Sequence, residues 1–153
     1  MTGKIIAASK HLGVGMAAFE RTADYVQNYV QGGRILIKHQ AVALRLAHMA
    51  TRLTAVRAVI GEATRALSSG AAQTDVLCNM AKMFAAQNVL EVCRDAMELH
   101  GGNGVMLDFG GVEKLFRNAA TSQHTDGGID ITCFRIVKGM FPQTAGIYAG
   151  PEK

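Results

Sequence analysis

The chain has 153 residues, of which 49% are hydrophobic and 18% charged, with a formal net charge of +4. That length suits one domain with a real core, and that balance excludes intrinsic disorder. No run of about 18 apolar residues occurs, which excludes a membrane-spanning helix.

The first predicted element is an amphipathic helix over about Ile5–Gln31. Its apolar positions Leu12, Met16, Phe19, Ala23, Val26 and Val30 step by four and three, and Gly32-Gly33 is expected to end it. A second helix carries Val42, Leu46, Met49, Leu53, Val56 and Ile60 on the same rhythm and stops at Ser68-Ser69-Gly70. A third, about Ala72–Leu99, presents Leu77, Ala81, Phe84, Val89, Val92, Ala96 and Leu99. Three long helices with short connections pack antiparallel. A shorter helix is predicted over Val112–Ser122, and a last one from Ile129 to about Met140, with Ile131, Phe134, Ile136 and Val137 as its apolar side. The expected architecture is all-α, an antiparallel four-helix bundle over residues 1–140 with a C-terminal tail at 141–153.

Charge and cysteine patterns narrow the function classes. Arg34, Lys38, Arg45, Arg52, Arg57 and Arg65 face only Glu62, a solvated basic face without the interleaved aromatics of single-strand binders. No nucleic-acid partner is expected. Cys78, Cys93 and Cys133 are odd in number and lack metal spacing, so they read as reduced thiols of an intracellular protein. The opening MTGKIIAASKHLGVG is broken by Lys10 and His11, too early for a signal sequence. The five histidines show no HxxxH or HExxH spacing, and no metal site is expected.

The stretch Leu99–Ile131 concentrates glycines in three clusters on an otherwise helical background. Glycine clusters mark tight turns or places where another molecule touches the backbone. The GGNG run lacks the GK[ST] of a P-loop and follows no strand, so a glycine corner reversing the third helix explains it equally well. Asp126, directly before Gly127-Gly128, is the best candidate for chemistry; an ordinary helix N-cap is the alternative.

These segments, Gly101-Gly102-Asn103-Gly104, then Val112-Glu113-Lys114-Leu115-Phe116-Arg117-Asn118-Ala119, then Thr125-Asp126-Gly127-Gly128 and Ile131, resemble the C-terminal domain of the FAD-dependent acyl-CoA dehydrogenases. Tyr25, His39-Gln40 and Leu46-Ala47-His48-Met49 fit the same pattern, so the resemblance covers nearly the whole chain. It implies a bundle that assembles into homo-oligomers. It also implies FAD held between this bundle, N-terminal helical and β domains, and a neighbouring subunit. The family's base is a Glu that takes the α-proton of an acyl-CoA while hydride leaves the β-carbon; by position that role falls on Asp126. The resemblance places His39, Gln40, Gly101, Gly102, Gly128 and Asp130 at the cofactor, and Lys4 and Gly127 at a small anionic substrate. Members with the Glu on the first helix have their base where Gly3 stands, with Lys4 where an Arg is common.

Three departures weaken the cofactor inference. Tyr29 and Gly32 replace an Arg and a Phe that contact the nucleotide, and Glu98 replaces a Gln beside it; losing an Arg–phosphate pair and adding a carboxylate both oppose an anionic cofactor. The expected activity is therefore an oxidoreductase when complemented by the N-terminal domains, in the cytoplasm or, in a eukaryote, the mitochondrial matrix. A non-catalytic bundle kept for oligomerisation or for a complementing subunit is the alternative. A second alternative is a nitroalkane oxidase-like flavoprotein, because those enzymes use an Asp base in a similar Asp-Gly-Gly setting.

Overall fold

The computed structural model describes residues 1–144. The helices are α1 (Thr2–Asn28), α2 (Gln40–Ser69), α3 (Thr74–His100), α4 (Val112–Ser122) and α5 (Ile129–Met140), joined in places by short 3₁₀ turns at Leu36–Lys38 and Gly101–Val105. The first four form the expected antiparallel bundle, and α5 packs on α3. Of the expected tail, residues 145–153 lie outside the described residues.

Helix α1 ends at Asn28, short of the expected Gln31. Val30–Gln31 (β1) instead pairs antiparallel with Arg34–Ile35 (β2), Gln31 opposite Arg34. Gly32 and Gly33 form the two-residue loop, at φ +61° and +77°, the positive pair that a tight type I′ hairpin requires. The glycine pair thus turns a hairpin and does not cap the helix. Gly70 does cap: it sits in the left-handed conformation at the end of α2, its N–H bonded to Ala66 and Leu67 carbonyls. Helix α3 starts at Thr74, two residues later than expected, with Asp75 in its first turn.

The predicted apolar stripes are offset from the true contact lines. The buried residues of α1 are Lys4, Ala7, Ala8, His11, Gly15, Ala18, Thr22 and Val26, whereas Leu12, Met16 and Phe19 only flank the core. Facing them on α3 are Cys78, Ala81, Lys82, Ala85, Ala86, Val89, Cys93 and Ala96. These small side chains bring the axes close, and the larger neighbours close the seam. On α2, Met49, Leu53 and Val56 fill the middle as expected. Helix α5 departs most. Of its predicted apolar side only Ile136 faces inward, beside Thr132, while Ile131, Phe134 and Val137 are exposed.

Helix directions follow from cross-contacts. Tyr25 of α1 stacks on His100 of α3 at 4.2 Å between ring centroids, and Lys4 and Lys82 converge at the other end, so α1 and α3 run parallel. Arg45 meets Asp95, and Arg52 meets Asn88, so α2 runs against them. Gln123, just beyond α4, donates to the Ala86 carbonyl, which brings the chain back to the Lys4–Lys82 end.

Two predictions follow from this packing. A Cβ on Gly104 would collide with the Met97 carbonyl, a backbone atom that cannot swing aside. Gly104→Ala is expected to cost about 1–3 kcal/mol, seen as a lower thermal midpoint. His11 is buried with an unpartnered Nδ1, and burial, helped by the Lys82 charge, lowers its pKa from 6.5 to about 4. The unfolded chain therefore takes up the proton first, and stability falls as pH drops from 6.5 toward about 4. His11→Gln should flatten that decline in urea midpoints measured across this window.

Candidate functional site

At the end of the bundle where α1 begins, the loop between α4 and α5 is built on two consecutive glycines after Asp126. Asp126 has φ +56°, the one positive value for a non-glycine among the described residues, and Gly127 follows at +95°. The left-handed region is strained for most L-residues and least so for Asn and Asp, which explains a short acid here. Asp126 is not the N-cap of α5: that position is Gly128, and no side chain caps the helix. The first amides of α5 are left to other partners, with Asp130 in the first turn.

The Asp126 carboxylate is 43% exposed and pairs through Oδ2 with Lys4 Nζ at 3.3 Å, while Lys4 also donates to the Asp126 carbonyl. Lys4 itself is buried, so its ammonium serves this loop. Oδ1 has no hydrogen-bond partner among the described residues. The carboxylate lies over the start of α1, where a Cβ on Gly3 would stand 3.7 Å from Oδ2. Gly3 and Asp126, the two positions where the resemblance looks for a base, are therefore neighbours in space. The missing side chain at Gly3 leaves the carboxylate open.

Lys82 is the residue that sequence reasoning missed. It is 0% exposed, on the buried line of α3, and its Nζ donates to the Gly127 carbonyl at 2.5 Å. Burial and the nearby Lys4 charge hold its pKa below the ordinary lysine range, partly offset by Asp126 and Cys133. The signal was present as a lone lysine at helical spacing between Cys78 and Ala86, positions of the buried stripe. Gly127, expected at the substrate, lies with its Cα flank 3.5 Å from Lys4 Nζ, measured to an added Cβ.

The remaining expected residues divide between two ends of the bundle. Gly128 and Asp130 share the Asp126 end. His39, Gln40, Gly101 and Gly102 lie at the other, where α1 and α3 finish and α2 begins. Along α3, Lys82 and His100 are roughly 27 Å apart at a rise of about 1.5 Å per residue. At the far end, His39 Nε2 lies 2.9 Å from the Gln31 carbonyl, tying the start of α2 to the hairpin. Asn103 donates to the Tyr25 hydroxyl at 3.0 Å, and Tyr25 stacks between Tyr29 and His100. Burial depresses the His100 pKa against its bond to the Ala96 carbonyl, favouring the neutral ring that stacks there. Gly101 has φ +56° and, like Gly102, would meet nothing within 4 Å if given a side chain, so both are open to solvent. Glu98 beside them is exposed.

Cys78 and Cys93 are buried and Cys133 partly so, all as free thiols; burial pushes Cys93 up to about 12, which makes it unreactive. Among the described residues there is no cluster of three or more His, Cys, Asp or Glu able to hold a metal, and no helix long and apolar enough to cross a membrane.

Comparison with known proteins agrees with this arrangement. The family model for the acyl-CoA dehydrogenase C-terminal domain matches residues 1–141. An acyl-CoA dehydrogenase of Bacillus subtilis is 35% identical over 146 residues, covering 93% of this chain and 37% of that protein. The mitochondrial isobutyryl-CoA dehydrogenase of Bos taurus is 32% identical over 141 residues, covering 92% and 34%. Butyryl-CoA dehydrogenase from Megasphaera elsdenii superposes with a TM-score of 0.85 at 26% identity, over 90% of this chain and 35% of that one. The chain thus spans about a third of the length of the curated relatives it matches. With its helical bundle and this match over residues 1–141, the chain belongs to the acyl-CoA dehydrogenase family, as a C-terminal domain.

Proposed function

We propose that this domain supplies the base of an FAD-dependent acyl-CoA dehydrogenase, with Asp126 taking the α-proton of an acyl-CoA thioester. The observation that carries the reading is the carboxylate itself: half-exposed, tethered by Lys4 through one oxygen, and free of protein partners at the other. Oδ1 receives the proton while Oδ2, then the carbonyl oxygen of a neutral acid, still accepts from Lys4, so the side chain need not leave its tether to react. Gly3 leaves the space over the carboxylate clear for the acyl α-carbon.

FAD supplies the two-electron acceptor for the β-hydride when bound. The donor set at the Asp126 end suits an anionic dinucleotide: α5 begins without a side-chain cap, at Gly128, whose added Cβ would meet nothing within 4 Å. A helix N-terminus of this kind favours phosphate or an electron-rich ring edge. His39, Gln40, Gly101 and Gly102, at the opposite end, would reach a cofactor only if it belonged to a neighbouring subunit. That separation supports a homo-oligomer in which each chain serves two cofactors, one at each end. The same division puts exposed Glu98 at the end away from the chemistry, where its charge acts on cofactor affinity and not on the proton transfer.

Asp lacks one methylene of the family's Glu. The left-handed backbone at Asp126 and the tether to Lys4 set where the shorter carboxylate sits, and a misplacement of about 1 Å costs roughly a hundredfold in rate. Asp126→Asn in the flavin-loaded oxidoreductase is expected to slow flavin bleaching by acyl-CoA by about 10²–10⁴-fold, the usual contribution of a general base. Bleaching at the wild-type rate would remove Asp126 from the mechanism. Bleaching by a small nitroalkane but not by acyl-CoA would instead identify a nitroalkane oxidase-type activity, and failure to take up flavin alongside the N-terminal domains would identify a non-catalytic bundle.

A further inference from the structure

A lysine with no exposed surface in the middle of a helical bundle calls for a reason, because burying an ammonium is expensive unless it is paired. Lys82 sits among Cys78, Ala81, Ala85 and Ala86 on the inner face of α3. Its charge has no carboxylate of its own. The titratable groups around it are Lys4 and His11 from α1, Asp126 from the loop and Cys133 from α5, and the one carboxylate among them is already tethered to Lys4. What Lys82 does make is a short hydrogen bond to the Gly127 carbonyl.

That bond has a particular place. Lys4 from α1 holds the carbonyl of Asp126, and Lys82 from α3 holds the next carbonyl, that of Gly127. Two ammonium groups on parallel helices thus grip two successive peptide units of one loop. Both units belong to residues at positive φ, which the loop's own chain connectivity does not enforce and no side-chain cap on α5 helps to hold. The Asp126 carbonyl belongs to the peptide that leaves Asp126, and the Gly127 carbonyl to the next one; Lys82 fixes that second peptide, so the chain beyond Asp126 cannot swing and carry the first with it. Glycine at 127 and 128 would otherwise give this segment wide conformational freedom.

We propose that Lys82 is a positioning residue for the base: through the Gly127 carbonyl it locks the Asp126 loop in the left-handed conformation that points the carboxylate over Gly3. Lys82 reaches no ligand itself. The assignment rests on Asp126 being the base, but its structural half is testable apart from the chemistry.

The test uses Lys82→Met, which keeps most of the volume and removes the donor, and Lys82→Gln, which restores a shorter donor. Amide hydrogen exchange on the purified chain reads the loop, and the flavin-loaded oxidoreductase reads the reaction. In Lys82→Met, exchange at the Thr132 amide, which donates to the Gly128 carbonyl at the junction of loop and α5, should rise roughly tenfold or more as the loop loosens, while the core of α1 and α3 keeps its protection. The kcat should fall by roughly tenfold or more with KM for acyl-CoA changed by less than about twofold, and Lys82→Gln should recover part of both effects. A folded Lys82→Met with unchanged loop exchange, or with unchanged kcat, overturns the proposal. If Lys82→Met does not fold, Lys82→Gln carries the same two readouts, and failure of both variants to fold assigns Lys82 to stability alone and also overturns it. Asp126→Asn separates the two readings: wild-type bleaching in that variant refutes the base, whereas the exchange pattern in Lys82→Met bears only on the loop.

Discussion

Helices α1 and α3 approach so closely that a single methyl group at Gly15 would stand 3.1 Å from Val89, and 2.8 Å from Leu53 of α2 on its flank. This contact of small residues, Ala8, Gly15 and Ala18 on one side and Ala81, Ala85 and Ala86 on the other, governs the rest of the molecule. It makes α1 and α3 parallel neighbours in register, so that residues near the start of α1 meet residues in the first half of α3. Dispersion and burial here come from close backbone approach and not from large side chains. The larger apolar residues of α1 then serve to seal the flanks against α2 and α4.

That register brings Lys4 and Lys82 to one level, and the loop after α4 comes to them. The loop has little to hold it internally: two glycines, one acid at positive φ, and a helix start without a capping side chain. Two ammonium groups on the closely packed pair α1 and α3 hold it from outside. A carboxylate proposed as a base, carried on a glycine-rich loop and held from a helical scaffold, gains both access and precision. Lys4 contributes twice, through the backbone carbonyl and through Oδ2, and Oδ1 has no partner among the described residues, as the proposed base requires.

The opposite end is organised differently. Tyr25, Tyr29 and His100 form a stacked column, Asn103 ties the Gly101–Gly104 corner to it, and the hairpin with His39 lies alongside. Aromatic stacking and neutral hydrogen bonds stiffen this end without placing a net charge in it. Between the corner and α4, Val105, Met106, Leu107 and Phe109 stand exposed, Leu107 at 73%. Together with the outward apolar face of α5, they account for the low charge content: the apolar surplus lies on the surface at both ends, beside the residues that the resemblance assigns to cofactor contact.

Much of this was legible in the residues. Helical periodicity, glycine terminators and the spacing of the GGNG and Asp-Gly-Gly segments determined an all-α bundle, its helix limits to within a few residues, and Asp126 as the acid to examine. Local rules suffice for those features because they depend on repeat and on backbone conformation. The stripe of large apolar residues misled on which face of α1 is deepest, since small residues carry little hydrophobic signal yet permit the closest approach. It misled on α5 as well, where hydrophobicity marks an outward face and periodicity cannot distinguish inward from outward. The glycine pair after α1 was read as a cap because hairpin and cap both call for positive φ. Only the tertiary structure decided that Asp126 is gripped by Lys4 and lies beside Gly3, that Lys82 is buried beneath it, and that the expected cofactor residues stand at two ends. Those facts depend on the register between α1 and α3, a relation between segments far apart in the chain that no local pattern encodes.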